Sequence, residues 1–111
     1  MNASQIQGKI CRFCKQQGVY YNKIISASHN GIPDVMIVIG GITYWFEVKA
    51  KDTKDRLKPE QEAVINKLNE SKKIAYVIRT YEEFLDIYKT LTEIKLIEKP
   101  RTIWSISDEE M

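Results

Sequence analysis

The chain has no apolar run long enough to span a membrane, and its opening residues, MNASQIQGK, are polar. Both absences predict a cytoplasmic protein with no membrane partner. Histidine and cysteine are scarce: one His29, and Cys11 and Cys14 as a lone CxxC. A four-ligand zinc centre needs more donors than these. A thioredoxin-like role lacks its strand-then-helix setting, so a structural thiol pair on a helix is expected. Glycine and proline are few, 5 and 3, and no repeat or low-complexity segment is seen. A chain of 111 residues has material for one core and not two. The net charge of +2 permits a nucleic-acid partner without requiring one.

What is present is a succession of short amphipathic segments. Residues 4–17 read as a helix through Ile6, Ile10, Phe13 and Cys14, with Gly18 as its stop. Residues 19–26 read as a strand and 29–31 as a turn. Two strands follow, at 34–39 and 42–49, joined by Gly40-Gly41, a favoured hairpin connection. A charged loop covers 50–58. Pro59 opens a helix to about residue 69, whose one face carries Gln61, Val64, Ile65 and Leu68. Residues 73–79 read as a strand, and Thr80 with Glu83 as the capping box of a last helix. The tail, 92–111, holds the apolar stretches IKLI and TIWSI. These are expected as short strands or as cover for a partner subunit. The fold class is α/β, a small mixed sheet flanked by helices.

The hairpin poses a chemical question. If Ile39 pairs with Ile42, Asp34 falls opposite Glu47. Opposed β-carbons lie about 4.5–5.5 Å apart, so the two carboxylates repel unless a cation sits between them. Magnesium is such a cation. Lys49 projects to the same face as Glu47, placed to neutralise phosphoryl charge or to hold an attacking water. Val35, Ile37, Tyr44, Phe46 and Val48 point the other way, into a core. This leaves the charged face as the presented one. Gln61, on an otherwise apolar helix face, needs polar partners, and the strand-end site would supply them. From the residues alone, a metal site and ordinary strand-end surface charges both remain open.

The segments GIPDVMIV, WFEVKAK and LKPEQEAVINKL together resemble the VRR-NUC domain, a branch of the PD-(D/E)xK nuclease superfamily. The likeness spans about residues 3–80 and is closest to the stand-alone bacteriophage members. It implies a restriction-endonuclease-like core and a Mg2+- or Mn2+-dependent endonuclease that cuts branched DNA such as Holliday-type four-way junctions, as a homodimer. Flap or single-strand cleavage is the alternative within the fold. Asp34 and Glu47 would bind the metal with the Val48 carbonyl, Lys49 would assist hydrolysis, and Gln61 would orient the site. One position departs from the pattern. Ala3 stands where family members carry an acidic residue. Three readings follow: fewer acids suffice, another residue substitutes, or the chain carries an inactivating change and binds DNA without cutting.

Basic residues cluster in two places. Lys51, Lys54, Arg56 and Lys58 follow the hairpin, and Lys9, Arg12 and Lys15 lie on the first helix. Both groups are expected to flank the charged face as a phosphate track. Singly, each is better read as a solvated surface charge. His29 and Asn30, just ahead of the hairpin, are further candidates for phosphate contact, His29 also for proton transfer.

Overall fold

The computed structural model describes residues 1–25, 30–52 and 54–98, with side chains to residue 94. Helix α1 (Ala3–Gln17) begins at Asn2, whose side chain accepts the Gln5 amide while the Gln5 side chain accepts the Asn2 amide, both at 2.9 Å. This exchange satisfies donors that a helix start leaves unpaired. The helix ends at Gly18, which takes the left-handed conformation (φ 70°) that glycine adopts without penalty.

Strand β1 (Tyr21–Lys23) is shorter than the 19–26 expected. The Val19 amide is used in closing α1, on the Cys14 carbonyl, and beyond the Ile24 amide, bonded to the Asp34 carbonyl, Ile25 is 89% exposed. Strands β2 (Val35–Ile39) and β3 (Ile42–Val48) form the hairpin, in the register anticipated: Ile39 faces Ile42 and Val35 faces Phe46. Helix α2 (Pro59–Leu68) then crosses over to β4 (Ala75–Ile78), which pairs parallel with β3. A parallel pair demands such a crossover. Asn69 closes it, its side chain accepting the Ile74 and Ala75 amides and donating to the Ala75 carbonyl. The sheet order is β1-β2-β3-β4.

Helix α3 (Tyr81–Glu98) starts with the expected capping box: Thr80 Oγ1 accepts the Glu83 amide at 3.0 Å, and Glu83 Oε1 accepts the Thr80 amide at 3.1 Å. The IKLI stretch, expected as a short strand, is the helix's last part. Its apolar positions continue a helical spacing that starts at Phe84, Ile87 and Leu91. TIWSI, and any cover it gives a partner, lies outside the described residues. The result is a small α/β domain, a four-stranded mixed sheet with three helices.

Alternation within the hairpin divides the sheet's two faces. Val35, Ile37, Tyr44, Phe46 and Val48 pack with Ile6, Ile10 and Cys14 of α1 and Phe84 of α3. Phe84 stands edge-on to Phe46, centroids 5.2 Å apart. The other face is not left open, as the sequence suggested. Helix α2 covers its charged end, so that Glu47 is 2% and Lys49 6% exposed. What brings α2 so close is Gly31. Its φ is +94°, and a β-carbon there would lie 2.4 Å from the Glu60 carbonyl oxygen. Among the described residues, no helix is long and apolar enough to cross a membrane.

Two glycine substitutions should therefore act in opposite directions. Gly31→Ala adds both a backbone penalty and a clash with α2, and is expected to cost about 2–4 kcal/mol. Gly8→Ala lies in mid-helix with only the Arg12 guanidinium nearby, at 3.6 Å, and should gain about 0.5–1 kcal/mol. Urea unfolding of the two variants against the parent chain measures both.

Candidate metal centre

The ladder ends at Val35 and Phe46, and Asp34 and Glu47 are the residues that directly adjoin this last pair, Asp34 just outside β2. Asp34 is fixed from three sides. Its Oδ2 accepts the Val48 amide at 2.8 Å, its carbonyl accepts the Ile24 amide at 2.7 Å, and the buried Pro33 precedes it. Glu47 is held between β2 and β4, opposite Val77 in the parallel ladder. Its Oε2 accepts from Gln61 Nε2 at 3.2 Å and pairs with Lys49 Nζ at 3.2 Å. Its Oε1 is buried with no hydrogen-bond partner. An orphaned carboxylate oxygen in a closed space is costly.

Gln61 reaches this position because it is the third residue of α2. Its amide oxygen accepts the Lys58 amide at 2.9 Å, capping the helix, which leaves the NH2 end free to turn toward Glu47. The polar partner expected for Gln61 is thus the Glu47 carboxylate itself.

The electrostatics follow from this enclosure. Burial pushes Glu47 up to about 7, the negative Asp34 adds to the rise, and Lys49 opposes it. Glu47 therefore holds its proton to higher pH than a bare carboxylate does.

Asp34 and Glu47 carry hard oxygen donors of the kind a magnesium or manganese ion takes. Among the described residues, no three His, Cys, Asp or Glu side chains gather as a group that could hold one. Magnesium commonly keeps several waters and completes its shell with substrate phosphate. The residue at the family's first-helix acid position, Ala3, is half-buried and packs against the core.

The basic residues are parted by the sheet. Lys51, Lys54, Arg56 and Lys58 are exposed around the loop that leaves β3. Helix α1 lies across the opposite, apolar face, so Lys9, Arg12 and Lys15 do not border the carboxylates directly. Lys9 sits over the Tyr81 ring at 5.3 Å, and Arg12 and Lys15 are exposed. Only the start of α1 approaches the loop, across a cleft of about 140 Å³ lined by Met1, Ile6, Lys51, Arg79, Thr80, Tyr81 and Glu82. Asn30 is exposed in the turn before Gly31. His29 lies outside the described residues. Cys11 and Cys14 are free thiols on α1, Cys14 pushed by burial to about 12, which suits a packing role and not ligation.

Two residues at the centre escaped sequence reasoning. Asp55 is the second carboxylate near Lys49, with Oδ1 at 3.9 Å from Nζ. Arg79 donates to the Ala50 carbonyl at 2.7 Å and the Asp52 carbonyl at 3.3 Å. Asp55 was visible only as a counter-charge in a basic loop, and loop side chains follow no periodicity. Arg79 merely ended an apolar strand.

The raised Glu47 has a signed consequence. Between about pH 4.5 and 7 the unfolded chain loses a proton that the folded chain keeps, so stability falls as pH rises through that window and levels off above it. A divalent cation needs the carboxylate and should reverse the trend above pH 7. Thermal melts from pH 5 to 8, with and without Mg2+, are expected to show both effects, and Glu47→Gln should flatten both.

Neither protein-family models nor curated proteins give a match to the chain. The chemistry of the site is therefore carried by its own residues.

Proposed function

We propose that this chain is a Mg2+- or Mn2+-dependent endodeoxyribonuclease with a restriction-endonuclease-like PD-(D/E)xK core of the VRR-NUC kind. The observation that carries the proposal is the buried Glu47 beside the half-buried Asp34, with Lys49 and Gln61 on Glu47 Oε2 and, among the described residues, no hydrogen-bond partner for Oε1. A buried carboxylate oxygen without a hydrogen-bond partner is a position that a bound cation would complete.

A bound divalent ion would activate water and neutralise charge on the scissile phosphate. The protein groups have separate tasks. The Val48 amide fixes the Asp34 carboxylate, and Gln61 fixes Glu47. Lys49, almost wholly enclosed, presents an ammonium where charge develops on a phosphoryl oxygen. Lys51, Lys54, Arg56 and Lys58 would take neighbouring phosphates along the open side of the loop, with Lys9, Arg12 and Lys15 serving DNA that wraps round the domain. His29 and Asn30 would meet the backbone ahead of Asp34. Branched DNA, four-way junctions above all, and a homodimer come from the family resemblance alone. A two-fold dimer would present two such sites to opposed strands.

A second reading is favoured by one feature. With Ala3 where the resemblance expects an acid and, among the described residues, no group of three His, Cys, Asp or Glu side chains that could hold a metal, the chain would bind junctions while cutting them poorly.

Cleavage of a matched panel (four-way junction, flap, nicked, linear and single-stranded DNA) with Mg2+ or Mn2+ separates these readings. Ala3→Glu should raise junction cleavage at least tenfold over the parent. Asp34→Asn in that background should lower it about a hundredfold or more, in line with removing a ligand of the ion that supplies the chemistry. If the Ala3→Glu chain cuts nothing with either metal, the nuclease assignment is lost. A flap preference would replace the junction reading.

A further inference from the structure

Lys49 lies between two carboxylates. Its Nζ is 3.2 Å from Glu47 Oε2 and 3.9 Å from Asp55 Oδ1, and its side chain is 8% exposed. Glu47 is the acceptor that a cation would claim. An ammonium on a flexible four-carbon stem is held only while its acceptors hold it. Once a divalent ion draws on Glu47 and repels the ammonium beside it, the nearer partner of Lys49 weakens.

The second partner is built so that it does not move. Asp55 Oδ2 accepts the amide of Ala50, the residue directly after Lys49. Asp52 shapes the turn between them: its side chain accepts the Lys54 amide at 2.9 Å and its carbonyl the Asp55 amide at 3.0 Å. Arg79, at the end of β4, ties both arms of the loop down through the Ala50 and Asp52 carbonyls. This is more anchoring than an exposed charged loop needs for its own sake. It also costs a guanidinium that would otherwise stay in water.

We propose that Asp55, clamped through its loop by Arg79, is a positioning residue that holds Lys49 in the cleft when a divalent cation engages Glu47. The inference rests on the nuclease reading of the same site. Asp55 would act through Lys49 alone. With a cation on Glu47 the ammonium would stay held by Asp55 Oδ1, its rotamers restricted.

The test uses the full chain with Ala3→Glu, and Asp55→Asn, Asp55→Glu and Arg79→Gln added to it. Asp55→Asn keeps an oxygen for the Ala50 amide and replaces the carboxylate oxygen facing Lys49 by an NH2 group, which removes both the charge and the acceptor. It is expected to bind Mg2+ within about threefold of the parent by calorimetry. Its kcat on a four-way junction should fall about ten- to a hundredfold with KM unchanged, the usual scale for a residue that orients a ligand-bearing group. Asp55→Glu should recover part of the loss, and Arg79→Gln should lower kcat by a smaller factor. NMR of the lysine ammonium groups gives a readout independent of turnover. In the parent, the Lys49 signal should persist at saturating Mg2+. In Asp55→Asn it should persist without Mg2+ and vanish with it. An unchanged Lys49 signal and kcat in Asp55→Asn would overturn the positioning role alone. A tenfold or greater loss of Mg2+ affinity would make Asp55 a ligand and overturn it as well. A parent that binds no Mg2+ would instead remove the nuclease reading, and this inference with it.

Discussion

The hairpin register decides everything downstream of it. Gly40 and Gly41 both take positive φ, 58° and 80°, as the two-residue turn matching strand twist requires. That turn fixes which residue meets which over the whole of β2 and β3. A slip of one residue would turn Asp34 into the core and Val35 out of it. The register thus builds the apolar face under α1 and α3 and the carboxylate pair under α2 in a single step. The distance from turn to site is the full length of the strands, and no other contact sets the alignment so directly.

Helix α2 converts this alignment into an unusual electrostatic state. By covering Glu47 and Lys49 it takes an ion pair out of water, which seldom adds net stability. Gln61 offsets part of the cost and leaves part standing, in the unpartnered Oε1. The domain thus holds a region that is less than optimally stable, a local departure from the consistency of the rest of the fold.

Much of this was legible in the sequence because it rests on periodicity or on turn chemistry. Gly40-Gly41 gave the register, Thr80 with Glu83 gave the start of α3, and Gly18 the end of α1. Gln61 on an apolar helix face announced a polar partner. What the sequence did not show depends on three-dimensional closure. The enclosure of Glu47 by α2 comes from a backbone approach at Gly31, and no side-chain pattern encodes it. IKLI suits helix or strand equally, and its continuity with Phe84, Ile87 and Leu91 settles the choice. The division of the basic residues follows from which sheet face α1 covers. Asp55 and Arg79 meet Lys49 through a loop, where spacing carries no geometric meaning.

The contact at Gly31 bears on how this protein can vary. Its neighbour in α2 is the main chain of Glu60 and the side chain of Val64, so the constraint is unequal across the interface. Position 60 is free to change, since any residue offers the same carbonyl. Position 64 is restricted in bulk, and position 31 admits glycine alone. Drift between related chains would then leave an invariant glycine facing a variable partner. Paired substitution, the usual trace of contact, would be missing at the very place where the two halves of the domain come closest.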